Sequence, residues 1–218
     1  MASFSVQRNF LHISLNQGQS VVARRGALIA MNDSITMSSG VTNGLLTGLM
    51  RKWFTGDTLF RQIFTAAKSQ GDLLLAPVNP GDIKVLNIGA RQYALADGVF
   101  LAAENTVSLS IRSRALAKGF FGGSGFLISE TSGAGNLAVN ARGGLFEIEV
   151  KPGSDMVVDE KHLVAWELSL KQDFRLGSRQ SGPVLGRFMG SLTSGEGMVS
   201  HFSGSGRLVL SSRCKPQD

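Results

Sequence analysis

The sequence predicts an all-β protein, and three observations support this prediction. Short segments such as LHISL, IKVLNI and FEIEV alternate apolar and polar residues with period two, as half-buried antiparallel strands do. The 27 glycines and turn signals such as Asn-Gln-Gly, Asp-Gly and Lys-Pro-Gly separate these segments at short intervals. The third observation is an internal repeat: related segments begin at Leu59, Phe126 and Met198, so the period is near seventy residues.

Two kinds of segment recur three times each. The first kind spans residues 11–37, 83–109 and 146–170 and aligns three alanines: Ala30, Ala102 and Ala165. The second kind places a glycine before an alternating apolar run: Gly71, Gly135 and Gly206. We therefore expect one domain, residues 1–218, built of three repeats at approximately 1–77, 78–142 and 143–218 that pack around a pseudo-threefold axis.

Periodicity alone leaves the arrangement of the strands open between sandwiches, a prism and a double-stranded β-helix. Helical periodicity is confined to two short stretches, residues 47–54 and 58–67. A chain of 218 residues removes roughly 70% of its unfolded surface from water on folding, which is enough for a sizeable core.

Composition indicates a reducing cytoplasm. The chain has no apolar run of about 18 residues, so we expect no transmembrane helix, and the N-terminal residues lack a signal-peptide pattern. The one cysteine, Cys214, excludes an intramolecular disulfide. The net charge of +6 comes mainly from residues 1–70, which hold seven basic residues against two acidic ones. This excess is either an anion-facing patch or a solvated basic face.

Three segments rich in glycine, aliphatic, aromatic and basic residues lead into the second segment of each repeat. Repeats related by a pseudo-threefold axis would bring these segments to one face, as a ring of apolar tips with basic collars. Such a surface is a candidate contact for another protein or for an anionic membrane. The alternative is that the tips are buried in the fold or in a homo-oligomer. The candidate residues are Arg51, Lys52, Trp53, Phe54, Lys118, Phe120, Phe121, Arg187 and Phe188.

Catalytic, metal and cofactor sites find little support in the sequence. The histidines His12, His162 and His201 lack metal-ligand spacing, and His12 fits a core or interface position. His162 lies beside Asp159 and Glu160, one of which could orient it as a base, but the pattern ties no nucleophile to it. The glycine runs are followed by strands rather than helices, so they predict turns and not phosphate loops. We therefore predict a protein that is not an enzyme and holds no cofactor or metal, with a site near Asp159 and His162 as the alternative.

An ordered series of motifs resembles the altered-inheritance-of-mitochondria (mitochondrial biogenesis) family, in its bacterial branch of conserved hypothetical proteins. The series comprises FTGDTLF, LLLAPVNPGDI, GVFLAAENTV, FFGGSGFLI, VVDEKHLVAWE and SGEGMVSHFSGSGRLVL, and it covers nearly the whole chain. Two departures stand out: Asp57 replaces the usual Glu, and the last strand ends in LSSR. The matching positions are Gly56, Asp57, Pro77, Gly81, Asp82, Gly122, Gly123, Gly125, Asp159, His162, Gly195, Glu196 and Gly197.

The resemblance implies a fold like that of the tryptophan RNA-binding attenuation protein (TRAP), with oligomeric assembly in which a trimer is favoured, and no assigned enzyme activity. The mitochondrial branch of the family is associated with organisation of the inner membrane. A TRAP-like RNA binder would repeat its basic residues in every unit, whereas Arg24 and Arg25 align roughly with Ala96 and Asp97 and then with Glu160 and Lys161. The sequence thus predicts a cytoplasmic homo-oligomer that acts as a binding or scaffolding protein, peripheral to the inner membrane if the apolar segments meet lipid; nucleic acid is the less favoured partner.

Overall fold

The computed structural model describes residues 1–39, 61–77, 80–114, 126–175 and 199–214. These residues form antiparallel β-strands joined by turns, with one short 3₁₀ turn at Glu160–His162. The all-β prediction is confirmed.

The strands fall into three sets of six that follow an N-terminal strand, β1 (Ser3–Gln7). The first set contains β2 (Phe10–Leu15), β3 (Ser20–Arg24), β4 (Leu28–Met31), β5 (Ile35–Ser39), β6 (Arg61–Ala66) and β7 (Gly71–Leu75). The second set contains β8 (Ile83–Ile88), β9 (Tyr93–Leu95), β10 (Phe100–Glu104), β11 (Val107–Arg114), β12 (Phe126–Gly133) and β13 (Gly135–Asn140). The third set contains β14 (Leu145–Val150), β15 (Met156–Asp159), β16 (Leu163–Glu167), β17 (Lys171–Arg175), β18 (Val199–Ser203) and β19 (Gly206–Ser211).

The same pairings recur in each set. In the first set β6 lies between β3 and β5, while β7 lies between β2 and β4. In the second set β12 lies between β9 and β11, and β13 between β8 and β10. In the third set β18 lies between β15 and β17, and β19 between β14 and β16. Each set therefore contributes two three-stranded halves to the sheets.

Halves from consecutive sets join into continuous six-stranded sheets. Pairing of β3 with β10 gives the order β5-β6-β3-β10-β13-β8, and pairing of β9 with β16 gives β11-β12-β9-β16-β19-β14. We call these two contacts the internal joints. The halves at the two ends of the array stay separate, as the sheets β1-β2-β7-β4 and β15-β18-β17.

A shared irregularity fixes which residues correspond between the sets. The register shifts just before Ala30 in the pairing of β4 with β7, just before Ala102 in the pairing of β10 with β13, and just before Ala165 in the pairing of β16 with β19. These three alanines are the ones that the sequence alignment brings together. At the internal joints Ala102 lies opposite Ala23, and Ala165 lies opposite Leu95.

The glycine that begins β7, β13 and β19 makes room for a buried aliphatic side chain. A Cβ on Gly71 would lie 2.8 Å from Ile35, and a Cβ on Gly206 would lie 2.9 Å from Leu170. The corresponding distance from Gly135 is 3.1 Å, to Val107. All three contacts are tighter than ordinary packing, so a larger residue would push these strands apart.

The first two cores each include residues from the following set of strands. The first core includes Leu101 and Ala102 of β10, and the second core includes Val164 and Ala165 of β16. The third core, around Phe202 and Trp166, lies at the end of the array. Its two aromatic rings pack edge to face with centroids 5.9 Å apart.

Two expectations from the sequence need correction. The helix predicted for residues 58–67 is wrong where the structure describes it, because Arg61–Ala66 forms strand β6 and pairs on both sides. Pairing within a sheet overrides the weak helical pattern there. The alignment of the basic pair is also wrong by one residue in the third set. By the strand register, Arg24 and Arg25 correspond to Asp159 and Glu160.

The pseudo-threefold axis and the likeness to TRAP stay predictions. Closure of three units within one chain would pair β15 with β4, and among the described strands both lie at sheet edges, each with a partner on one side only.

Candidate interaction site

The two terminal edge strands expose apolar side chains. On β4, Ile29 is 53% exposed and Met31 is 37% exposed; on β15, Val157 is 44% exposed. Ala30 is exposed as well. An edge strand with apolar side chains is a ready template for pairing with another strand. The two edges together form the candidate site.

The corresponding positions in the internal joints are buried. Leu101 and Val164, which correspond to Ile29, are each 1% exposed. The counterparts of Met31 are Ala103 and Trp166, and both are buried. The counterparts of Val157 are Val22 and Ala94, and both are buried too. The sequence therefore places apolar residues on β4 and β15 as though these strands were covered.

Polar groups flank each edge. Near β4, Asp33 lies 3.7 Å from the ammonium group of Lys68, and both side chains are exposed. Beside β15, the Asp155 carboxylate lies 3.3 Å from Nε2 of His201. At the first internal joint the Arg24 guanidinium donates to the carbonyl oxygen of Gly98 at 2.8 Å. Charged groups thus flank both terminal edges and the first internal joint.

A carboxylate cluster lies on β2 and β7, next to β4. Asp72 Oδ1 accepts hydrogen bonds from Ser14 Oγ at 2.6 Å and from His12 Nε2 at 2.8 Å. The Ser14 hydrogen bond first, and then the His12 hydrogen bond, hold the pKa of Asp72 below its ordinary value. The Asp72 amide donates to Asn32 Oδ1. This order of groups, with the carboxylate accepting from both partners, differs from a nucleophile–base–carboxylate triad.

Buried glutamates occupy one equivalent position in both internal joints. Glu104 accepts from the Ala2 and Asn136 amides, at 3.3 and 3.0 Å. Glu167 Oε1 lies 3.3 Å from Nε of Arg91 and accepts from the Tyr93 hydroxyl at 3.4 Å. Burial, and then the Glu167 charge, raise the pKa of Tyr93. The first set has Asn32 at this position, exposed at the β4 edge.

The residues of the alternative catalytic site make separate structural contacts. Asp159 Oδ1 caps the 3₁₀ turn by accepting from the Lys161 amide at 2.9 Å. His162 Nδ1 lies 2.7 Å from the Ser211 carbonyl oxygen, so this nitrogen donates. Nearby, Ser200 Oγ donates to the buried Glu160 carboxylate. These contacts orient the turn between β15 and β16, and His162 Nδ1 contacts a backbone carbonyl rather than a hydroxyl or thiol nucleophile.

Among the other family-motif positions, Gly81 and Asp82 stabilise a connection between sets. The Asp82 carboxylate accepts from the Leu145 amide at 3.1 Å. Gly81 forms a bridge with Gly143 beside an open cleft of about 360 Å³, which Arg213 also lines. Pro77 follows β7.

Many predicted positions lie outside the described residues. All of the predicted loop surface does: Arg51, Lys52, Trp53, Phe54, Lys118, Phe120, Phe121, Arg187 and Phe188. So do the motif positions Gly56, Asp57, Gly122, Gly123, Gly125, Gly195, Glu196 and Gly197. The strands that flank these segments are described, and in each set the segment connects the fourth strand of the set to the fifth.

Two absences hold for the described part of the chain. It contains no group of three or more His, Cys, Asp or Glu side chains that could hold a metal ion. Within the same residues, no helix is long and apolar enough to cross a membrane.

The basic pair does not recur around the array. Arg24 corresponds to Ala96 and Asp159, so this position carries a positive, a neutral and a negative residue in turn. A protein that wraps nucleic acid around repeated units needs cations at the same position of each.

The sequence reasoning missed the edge residues Ile29, Met31 and Val157. A signal was available, because the aligned segments carry apolar residues at these positions in all three sets. A linear array of repeats leaves one half-sheet at each end, so residues that are covered in the internal joints become exposed there.

Comparisons with known proteins agree with this architecture. The family model for mitochondrial biogenesis AIM24 matches residues 4–213. An uncharacterized protein of Streptococcus pyogenes serotype M6 is 33% identical over 217 residues, which cover 95% of this chain and 83% of that protein. A crystal structure of a Streptococcus pyogenes protein matches with a TM-score of 0.77 and 29% identity, covering 98% of this chain and 94% of that one. This chain belongs to the mitochondrial biogenesis AIM24 family.

Proposed function

We propose that the protein is a non-catalytic scaffold that self-associates through its two terminal sheet edges. The observation that supports this proposal is the exposure of Ile29, Met31 and Val157, at positions that are buried in both internal joints. Complete burial of a side chain of this size contributes roughly 1.5–3 kcal/mol, so half-exposed residues still lose a substantial contribution in an isolated chain. Pairing of the edges would recover it and satisfy the open backbone groups.

The polar clusters support a structural role over a catalytic one. The carboxylates of Asp72, Asp82, Glu104 and Asp159 each accept hydrogen bonds from the chain itself. Such groups stabilise strands and turns. A site near Asp159 and His162 is the alternative function, and it would need a substrate to compete with these contacts.

A matched pair of valine substitutions tests self-association. Val157→Lys places a charge on the β15 edge, whereas Val6→Lys places it on β1, at the far edge of the first sheet, where Val6 is 40% exposed. Sedimentation velocity should show an oligomer for wild type and Val6→Lys, and a monomer for Val157→Lys, because an edge lysine opposes pairing. A wild-type protein that stays monomeric at tens of micromolar would contradict the proposal.

The family resemblance favours a trimer for this oligomer, located in the cytoplasm or at the inner membrane face. Each chain would then add three equivalent segments, residues 40–60, 115–125 and 176–198, to the assembly. Their apolar and basic composition supports an anionic lipid surface or a protein as the partner. Multiple copies would raise the avidity of weak individual contacts.

Flotation with anionic liposomes tests the lipid partner. Wild type should float at low salt, less at physiological salt, and the variant with Trp53, Phe54, Phe121 and Phe188 changed to Ser should not float. Val6→Ser is the control for the loss of an exposed apolar side chain, and it should float like wild type. If wild type does not float, lipid is eliminated and a protein partner is the remaining candidate.

A further inference from the structure

We propose that β15 of one copy pairs antiparallel with β4 of a second copy, head to tail, in the register that places Val158 opposite Ala30. This inference rests on the proposed self-association and specifies its geometry. The occupant of each edge is therefore another copy of the same chain.

The strand order of the sheets is the first argument. Each internal sheet consists of two kinds of half. The first kind is β5-β6-β3 or its counterpart β11-β12-β9. The second kind is β10-β13-β8 or β16-β19-β14, the counterparts of β4-β7-β2. The terminal sheet β17-β18-β15 is a half of the first kind. The terminal sheet β4-β7-β2, extended by β1, is a half of the second kind. Joined at β15 and β4, they reproduce the order of the internal sheets.

The register follows from the internal joints. At each internal joint the alanine of one set lies opposite the residue seven positions before the alanine of the preceding set. Ala102 lies opposite Ala23, seven residues before Ala30, and Ala165 lies opposite Leu95, seven residues before Ala102. By the same rule, Ala30 of the next copy would lie opposite Val158, which is seven residues before Ala165. The same register places Val157 opposite Met31.

The cores supply the second argument. Leu101 and Ala102 complete the core of the first set, and Val164 and Ala165 complete that of the second. The third core includes Val158, Trp166 and Phe202, and the same two positions from a following set would be Ile29 and Ala30. A second copy presenting β4 to β15 would cover the third core with the exposed Ile29.

Charge complementarity is the third argument. At the first internal joint Arg24 lies on the β3 side and contacts Gly98, whose neighbour Asp97 is exposed on the β10 side. At the proposed joint Asp159 takes the position of Arg24, and Arg25 takes the position of Asp97. The two sides again carry opposite charges, with their signs exchanged, which favours this pairing over contact with an unrelated strand.

Head-to-tail pairing leaves one free edge of each kind on every added copy. The contact is therefore heterologous, and it generates a closed ring or an open filament, never an isologous dimer. An isologous pairing of β4 with β4 or of β15 with β15 would leave Val158 away from Ala30.

Disulfide trapping between separate chains tests the register. Positions 30 and 158 would form a non-hydrogen-bonded pair, because the Ala96 amide donates to the Val164 carbonyl oxygen at the adjoining position of the second internal joint. Cβ atoms approach most closely in such pairs, which suits a disulfide. One chain carries Ala30→Cys and the other carries Val158→Cys, both with Cys214→Ser, and the two are mixed under mild oxidation.

The expected result is a disulfide-linked dimer in the mixture and none in either chain alone. A mixture of Ala30→Cys with Val157→Cys is the matched control, because a shift of one residue turns the side chain to the other face of the sheet. It should give at least about tenfold less dimer, corresponding to a difference of roughly 1.4 kcal/mol. Sedimentation of each variant under reducing conditions, compared with wild type, shows whether the substitution has disturbed folding or assembly.

Other outcomes separate this inference from the proposed function. Cross-linking of Ala30→Cys chains to each other would show an isologous edge and overturn the head-to-tail register, while self-association stands. Oligomers that form no cross-link but are still dissociated by Val157→Lys would show another register at the same edges and overturn the inference alone. A monomeric wild type would overturn both.

Discussion

Tyr93 is a residue that belongs both to a hydrophobic core and to an internal joint. It lies on β9 in the second internal joint, buried, with its hydroxyl on Glu167. Its pKa is raised first by burial and then by the neighbouring carboxylates. The neutral phenol is therefore favoured in the folded protein, and its environment reports whether the joint is intact.

Tyr93 gives a pH prediction with a direct readout, because it is the one tyrosine in the sequence. The tyrosinate absorbance of the folded protein should titrate above the ordinary pKa of about 10, and that of the unfolded chain near it. Because the folded pKa is the higher one, this contribution to stability is complete below about pH 10 and is lost as the pH rises through the folded pKa. A folded protein that titrates at or below the unfolded value would contradict the described burial.

Two glycines with positive φ make a second prediction at this scale. A Cβ on Gly133, where φ is +89°, would lie 2.2 Å from the Thr106 carbonyl oxygen, whereas one on Gly153, where φ is +79°, would meet nothing within 4 Å. Gly133→Ala should lower the free energy of unfolding by at least about 2 kcal/mol, and Gly153→Ala by about 1 kcal/mol, from backbone strain alone. Urea unfolding measures both. Equal losses would show that the close contact at Gly133 is relieved at no cost.

At the scale of strands, the sequence predicts existence better than pairing. The alternation in FLHISL and IKVLNI marks β2 and β8, and the recurring glycines mark the starts of β7, β13 and β19. These signals are local, so periodicity reveals them. The strand β6 escaped prediction because its position between β3 and β5 is decided by partners distant in sequence.

The edge strands illustrate the same limit in the candidate site. In sequence, LIAM of β4 resembles FLAAE of β10 and LVAWE of β16, which are buried. Only the sheet order shows that, among the described strands, β4 lacks a neighbour where β10 and β16 have one. The loop surface has no corresponding test in the sequence, since composition does not tell whether apolar tips are covered.

A charge exchange tests the joint at this scale. Arg25→Asp or Asp159→Arg should each weaken self-association, because each places like charges on opposite sides of the proposed joint. The double variant restores opposite charges and should recover part of the lost affinity. Recovery should be incomplete, because Asp159→Arg also removes the cap of the 3₁₀ turn. Equilibrium sedimentation at low salt measures the dissociation constants. Additive losses in the double variant would show that the two residues do not face each other.

A second rim substitution should act in the opposite direction. The register that pairs Ala30 with Val158 also places Asp33 opposite Asp155. Their counterparts at the second internal joint are Leu168 and Gln92, where the Leu168 amide donates to the Gln92 carbonyl oxygen at 2.8 Å. Asp33→Asn removes one of two like charges, so it should strengthen self-association several-fold at low salt and less at high salt. A weaker assembly would contradict this placement of Asp33.

At the scale of the whole molecule, the chain is an array whose internal contacts are a template for its external ones. Two joints are formed within the chain by β3 with β10 and by β9 with β16, and the ends carry the two halves of a third. Repeat arrays usually protect their ends with polar caps. Here the ends are apolar, as expected for a unit that continues into further copies.

Mixing two edge-blocked chains tests this central claim most directly. Met31→Lys blocks β4 and leaves β15 free, whereas Val157→Lys blocks β15 and leaves β4 free. By sedimentation velocity, each variant alone should be a monomer, and an equimolar mixture should form a dimer and nothing larger, because one joint is still available and both outer edges are blocked. If the mixture stays monomeric while wild type is an oligomer, or if either variant alone still assembles, head-to-tail association through β4 and β15 is contradicted.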